Sequence, residues 1–420
     1  MTCLRGSILL ALLFLLSLRT EAAVGWVQVL DARTCQPVEG VLVTANGRVA
    51  LADAEGMLAL PVPAQKLGVR APGYRRVQIE DPGPGRTSRL VRLQPFRPKA
   101  LYLSFYGIGD RRLREAALRL LQETELNALV IDVKGDRGRI PYASAVPLAG
   151  EIGARALTTV RDMPGLLASL RRQGIYTIAR VVVFKDDPLA HARPEWAVRR
   201  RDGSLYVDRE GLTWTDPFRR EVWDYVLDVA EEAARMGFDE IQFDYVRFPD
   251  TPGLVFAQPS TQANRVAAIS GFLAEARRRL APYNVDIAAD VFGYVLWNRN
   301  DTDIGQRLED LAPHLDYISP MLYPSGFQYG IPGYRNPVAA PYEIVSLSLR
   351  NARKRTGLSP LRFRPWLQAF RDYAFDRRTF GAEAMRAQIR AAEDFGANGW
   401  MLWNPRNVYS DAGLAREDGR

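Results

Sequence analysis

The feature that most constrains this chain is a strand-like apolar run that returns eight times in its last three quarters. The runs cover residues 101–105, 128–133, 176–184, 240–246, 286–292, 317–322, 363–370 and 399–403. Each is nearly continuous in β-branched and aromatic residues, as a strand covered on both faces must be. Between them, residues 111–126, 161–173, 218–236, 265–280 and 382–395 carry the period of amphipathic helices. Strand and helix alternating eight times over roughly 320 residues predict an α/β fold of the (β/α)8 barrel type rather than an open doubly wound sheet. Only seventeen residues follow Trp403, so the eighth helix is expected to be very short or absent. The N-terminal part of the chain is expected to cover that side.

That N-terminal part reads differently. Residues 24–95 hold short β-rich runs at 26–30, 40–45, 57–62 and 67–71, punctuated by Asn46-Gly47, Glu55-Gly56 and Pro72-Gly73, with no helical period. The pattern "VLDARTCQPVEGVLVTANGRVALADAEGMLALPVP…LGVRAPGYRRV" resembles carboxypeptidase-regulatory-like β-sandwiches, which usually support a neighbour or bind a partner. The Pro-rich stretch 82–98 reads as a linker. Residues 1–23 carry Arg5, an apolar run from 8 to 18, and small residues near Ala22 and Ala23. That is the pattern of a secretory signal peptide, and the run is short for a bilayer span. The alternative is an uncleaved anchor. With cleavage, no membrane span is expected and a bacterial periplasmic or secreted location is implied. Cys35 would then be the only cysteine, without an intrachain disulfide partner.

Composition excludes several chemistries. Two cysteines (Cys3, Cys35) and two histidines (His191, His314) cannot assemble a Cys/His zinc cluster. No Gly-x-Ser-x-Gly elbow, Walker A loop or strand-linked Gly-x-Gly-x-x-Gly is present, so no nucleotide or dinucleotide cofactor is expected. Acidic loop residues such as Asp301 and Asp303 are too sparse for a calcium site, and no metal is expected. The 56 basic residues against 48 acidic ones give +8, but they are spread along the chain. That argues against nucleic acid and hints weakly at an anionic partner. Catalytic acids and bases should therefore be carboxylates.

Barrel enzymes carry their chemistry at strand C-termini. Those ends present Tyr106, Asp132 with Lys134, Arg180 followed by Lys185 and Asp186, Asp244 with Arg247, Asp290, Tyr323, Trp366 with Gln368, and Trp403 with Asn404. Carboxylates perform glycosidic chemistry, and aromatic faces stack on sugar rings. In "GFDEIQFDYVRFPD" the charge of Asp244 stands among apolar neighbours, and "VDIAADVFG" repeats the theme with Asp290. Neighbouring parallel strands would bring two such carboxyls within about 5 to 6 Å, the separation of retaining glycosidases. Crowding raises one pKa, and Arg180 or Arg247 could keep the other group ionised. The plainer alternative makes both aspartates structural partners of those arginines. Asp132 could meet a sugar hydroxyl or position Arg180. Lys134 and Lys185 read as rim charges. Among Trp297, Tyr323, Phe327, Tyr329, Trp366 and Trp403, the expected stacking residues are Tyr323 and Trp403. Asp216 is expected to cap the helix that follows it, and Asp316 to be structural.

The segments "ALVIDVKGDRGRIPY", "IYTIARVVVFKDDPLAHARPEWAVR", "GFDEIQFDYVRFP", "DIAADVFGY", "LDYISPMLYPSGF", "RPWLQAF" and "GWMLWNPRNVY" resemble a bacterial glycosidase family catalogued as a domain of unknown function. The resemblance spans residues 99–412. It implies a barrel related to the α-amylase superfamily, with Asp244 as nucleophile and Asp290 as acid/base, although the acid in that superfamily is usually Glu. "FDEIQFDY" and "MLYP" are also similar to chitinase-like barrels. Those enzymes place a catalytic Glu where this chain has Val246, so substrate-assisted chemistry is disfavoured. The expected function is hydrolysis of a polysaccharide, with Asp132, Arg180, Arg247, Tyr323 and Trp403 binding substrate. The alternative is an inactive polysaccharide-binding or scaffold protein of the cell envelope.

Overall fold

The computed structural model describes residues 24–61, 66–80 and 88–416. The expected export signal lies outside the described residues, as does part of the expected linker. The first seven strands are β1 (Val24–Asp31), β2 (Leu42–Ala45), β3 (Arg48–Leu51), β4 (Met57–Pro61), β5 (Lys66–Arg70), β6 (Val77–Glu80) and β7 (Ser88–Leu93). They form two sheets, ordered β4-β1-β7 and β3-β2-β5-β6. Val27, Val29, Val43, Val69 and Leu93 fill the space between them. The linker reading is corrected at Ser88–Leu93, which pairs in parallel with β1 and belongs to the sheet. Its polar, arginine-rich sequence masked a strand whose alternate residues Val91 and Leu93 are buried.

The remaining strands are β8 (Lys99–Leu103), β9 (Ala128–Lys134), β10 (Tyr176–Val182), β11 (Glu240–Asp244), β12 (Asp286–Phe292), β13 (Tyr317–Met321), β14 (Trp366–Gln368) and β15 (Trp400–Trp403). They close into a parallel eight-stranded barrel in chain order, β15 pairing with β8. This is the (β/α)8 architecture read from the eight apolar runs. Every residue of β9, β10 and β11 is buried, since helices cover the outside and side chains fill the inside. On β11 the alternation is plain. Ile241 and Phe243 join the core beneath the helices, while Glu240, Gln242 and Asp244 point into the barrel.

The outer helices include Arg111–Glu123, Met163–Arg172, Arg220–Met236, Gln262–Leu280, Pro341–Thr356 and Ala382–Phe395. The crossover after β12 is reduced to the single α-helical turn Leu308–Leu311 and two 3-10 turns. Asp216 does not cap Arg220–Met236. Its oxygens take the N–H groups of Phe218 and Ala257 instead, tying two loops together. No helix follows β15 among the described residues, as expected, but the β domain does not fill that gap. The C-terminal segment does: Glu125 N–H donates to Ala415 O at 2.9 Å, and Ala415 N–H donates to the Glu125 carboxylate at 2.7 Å.

The β domain sits on the bottom of the barrel, where the strands begin. Arg76 donates to the carbonyls of Phe238 and Asn284, and Arg75 to that of Gly174. Arg70 reaches in from β5 to lie 3.8 Å from Asp286 and 3.9 Å from Asp316. Asp316 also accepts from Arg277 and from Ile287 N–H, which makes it structural as expected. Deeper inside, Glu240 and Arg364 form a fully buried ion pair at 2.6 Å. The closed bottom leaves the opposite end of the barrel as the open one.

Candidate active site

Arg180 organises the open end. It points inward from β10, is fully buried, and faces three carboxylates. Its Nη1 donates to Asp132 at 2.8 Å, and its Nη2 to Asp136 at 2.6 Å. Nε and Nη2 both donate to Asp244 Oδ2, at 2.9 and 2.6 Å. A buried guanidinium demands such compensation, and charge-assisted bonds of this length hold all four groups in one arrangement. Asp132 is further spent on the Tyr102 hydroxyl and on Phe105 N–H, at 2.9 and 3.0 Å. Its contacts therefore support the positioning alternative over direct sugar contact. Gly135 permits this packing, because a Cβ there would stand 2.9 Å from Asp132 Oδ2.

Asp244 ends β11, and the chain turns immediately. Tyr245 adopts φ +50°, the left-handed region that tyrosine rarely occupies. In that conformation its N–H donates to Asp244 Oδ1 at 2.6 Å. Strain of this kind collects where a side chain must be held in one place.

Asp290 faces the same cavity from β12 under different conditions. It is fully buried; Oδ1 accepts the Trp366 indole N–H at 2.7 Å, and Oδ2 has no partner. Burial, and then the charge of Asp244, push its carboxyl well above the usual range; the indole N–H and Arg180 only partly offset them. One carboxyl paired with a guanidinium thus shares a cavity of about 160 Å³ with one that has no cation partner and an upward-shifted pKa. Arg247, Tyr323, Trp366, Phe292 and Trp403 line the rest of that cavity.

A profile described as "Putative glycosyl hydrolase domain" matches residues 100–409, the whole barrel. The chain belongs to this family. No curated protein matches it. Among solved structures, a hypothetical protein from Ruminiclostridium thermocellum is 37% identical, covering 46% of this chain and 97% of its own, with a TM-score of 0.41. The PgaB (BpsB) glycoside hydrolase domain from Bordetella bronchiseptica is 17% identical, covering 74% of this chain and 95% of its own, with a TM-score of 0.54. The latter shows a shared fold.

In this glycosyl hydrolase barrel most of the residues expected at the site are brought together. Asp244, Asp290, Arg180, Arg247, Tyr323 and Trp403 line one cavity, and Asp132 lines a second of about 190 Å³ that shares Trp403. Trp403 stacks on Tyr102 with centroids 4.1 Å apart and stands edge-on to Trp366. Burial and the two facing aspartates raise the Tyr323 phenol well above its usual range. Other expectations are corrected. Lys134 and Lys185 are not rim charges: Lys134 is buried against Asp186 at 2.8 Å, and Lys185 against Asp208 and Glu210. Of the aromatic residues left open by the sequence, Phe327 is core, Trp297 donates to Ser348, and Trp366 donates to Asp290 from the cavity wall. Asp136 and Tyr102 were missed. Asp136 lies in a Gly-Asp-Arg-Gly turn whose direction no periodicity reports.

Proposed function

We propose that the barrel cleaves O-glycosidic bonds of a polysaccharide by a two-carboxylate retaining mechanism, with Asp244 as nucleophile and Asp290 as acid/base. The observation that carries this reading is the asymmetry of the pair. Asp244 is ion-paired with Arg180, while burial and the neighbouring charge push the Asp290 carboxyl upward and its Oδ2 stands unengaged. A protonated Asp290 can donate to the departing glycosidic oxygen as Asp244 attacks the anomeric carbon. The negative charge of Asp244 is then consumed in the glycosyl ester, the electrostatic push on Asp290 falls, and Asp290 becomes the base that activates water. The α-amylase-like placement of the two residues after successive strands supports the same roles.

Asp244→Asn and Asp290→Asn should each lower turnover of a hydrolysed glycan at least a hundredfold. NMR of the first product should show the anomeric configuration of the substrate. Full activity in either variant removes that residue from the chemistry, and an inverted product removes the nucleophile role.

A binding or scaffold protein would also pair Asp244 with Arg180. It has no use for Asp290, a buried acid without a cation partner, and that favours catalysis. We further propose that residues 1–23 direct export to the periplasm or exterior. N-terminal sequencing of the mature protein tests this. The β domain, as a carboxypeptidase-regulatory-like module, would serve as the support that closes the barrel floor.

A further inference from the structure

Six Lys and Arg side chains are buried among the described residues: Arg70, Lys134, Arg180, Lys185, Arg247 and Arg364. Five of them lie within 4 Å of a carboxylate. Arg247 does not. Only 9% of it is exposed, and among the described residues its one side-chain hydrogen bond runs from Nη1 to the Phe248 carbonyl at 2.9 Å. The rings of Trp214, Tyr245 and Phe292 hold the guanidinium at 4.8, 5.2 and 4.9 Å from their centroids. A guanidinium has five N–H donors, and aromatic faces satisfy its charge but not its hydrogen bonds. Arg247 lines the cavity that contains Asp244 and Asp290, so a clamped, planar guanidinium with unused donors borders the space a sugar ring would fill. Neutral hydroxyls do not offset a buried cation, whereas a carboxylate matches the fork and neutralises it.

A second observation agrees. The adjoining cavity carries Arg137 and Arg139, both exposed and neither paired with an acid among the described residues. Five acids at this end are already engaged: Asp132, Asp136 and Asp244 by Arg180, Asp208 and Glu210 by Lys185.

We infer that the substrate is an acidic glycan, and that Arg247 recognises the carboxylate of a uronic acid residue in the cavity beside Asp244 and Asp290. Arg137 and Arg139 then steer the neighbouring anionic sugars. The inference rests on the glycosidase reading for the location of the site, but it concerns recognition rather than turnover.

Affinity electrophoresis of the full chain through gels containing alginate, polygalacturonate, hyaluronan, dextran, cellulose derivatives or chitosan tests it. Retardation by at least one uronate polymer is expected, and carboxyl reduction of that polymer should abolish it. Arg247→Gln should weaken binding at least tenfold, and Arg247→Lys, which keeps the charge but loses the fork, should rescue it only in part. Arg137→Ala/Arg139→Ala, a change confined to exposed side chains, should weaken binding several-fold and flatten its salt dependence. Failure of every uronate polymer to retard the protein overturns the inference. So does retention of binding after carboxyl reduction, equal retardation by dextran sulfate, or indifference to Arg247→Gln. Uronate binding through Arg247 without hydrolysis would leave this inference standing and remove the glycosidase mechanism. Hydrolysis confined to neutral glycans would do the reverse.

Discussion

Asp286→Asn, at the floor of the barrel, should make the protein less sensitive to alkaline pH. Asp286 is fully buried where Arg70 of the β domain meets the first residues of β12. Burial and then the charge of Asp316 raise its carboxyl to about 7, with Glu240 adding to the effect; Arg70 and Arg76 oppose it. Arg70 cannot win, because it is shared between Asp286 and Asp316 and its Nε bonds to neither. The sign follows from proton counting. Between the ordinary aspartate pKa of about 4 and the folded value of about 7, the folded chain binds more protons at this group than the unfolded chain. Stability from Asp286 is therefore largest in acid and declines as pH rises through 7. Three units at about 1.4 kcal/mol each amount to roughly 4 kcal/mol, of which about 2 to 3 kcal/mol falls between pH 5 and pH 8.

Asparagine is neutral throughout and can still accept from the Tyr176 hydroxyl, which donates to Asp286 at 3.2 Å. Comparing variant with wild type at two pH values cancels any pH-independent cost of the change. By calorimetry, the difference in Tm between Asp286→Asn and wild type should favour the variant more at pH 8 than at pH 5. For a domain of roughly 300 residues the gain is about 4 °C. An equal difference at both pH values would refute the argument, because it would mean that Asp286 is ionised, or neutral, across the whole interval.

Other outcomes follow from the upper end of the barrel. Trp366→Phe removes the only hydrogen bond to the Asp290 carboxyl among the described residues. Because that bond favours the ionised form, its loss should raise the pKa further and move the alkaline limb of kcat/KM upward by about one pH unit. A downward movement would exclude Asp290 as the acid. Arg180→Gln leaves Asp132, Asp136 and Asp244 without their common cation and should cost about 3 to 5 kcal/mol, read as a lowered Tm. Gly135→Ala drives a methyl group against Asp132 and should reduce activity by displacing Arg180, with little change in Tm; unchanged kinetics would show that Arg180 needs no such support.

The barrel was legible because its signal is local. A strand buried on both faces needs only its own apolar run, and all eight runs became strands. Where burial is one-sided or partial, the signal fades. Arg48–Leu51 is largely exposed and carries no alternation, and Ser88–Leu93 hides two inward residues among arginines and a serine. The shortened crossover after β12 was equally silent, since a missing helix leaves only an unremarkable loop.

The candidate site divides along the same line. That Asp244 and Asp290 point inward from neighbouring strands follows from strand alternation, which any reader of the two motifs can apply. Which of them takes which role in the proposed mechanism does not follow, because it depends on a third residue. Arg180 lies 64 positions before Asp244 in the chain and reaches it across the β10–β11 pairing, in which Val182 stands opposite Asp244. Its attachment to Asp132 comes from the other flank, where Arg180 and Asp132 are themselves register partners. Had the same arginine stood one residue earlier or later on β10, it would point among the helices, and both aspartates would compete for one proton with no cation to separate them. The proposed division of labour between two identical side chains thus rests on strand register. It becomes visible only when three strands are laid side by side.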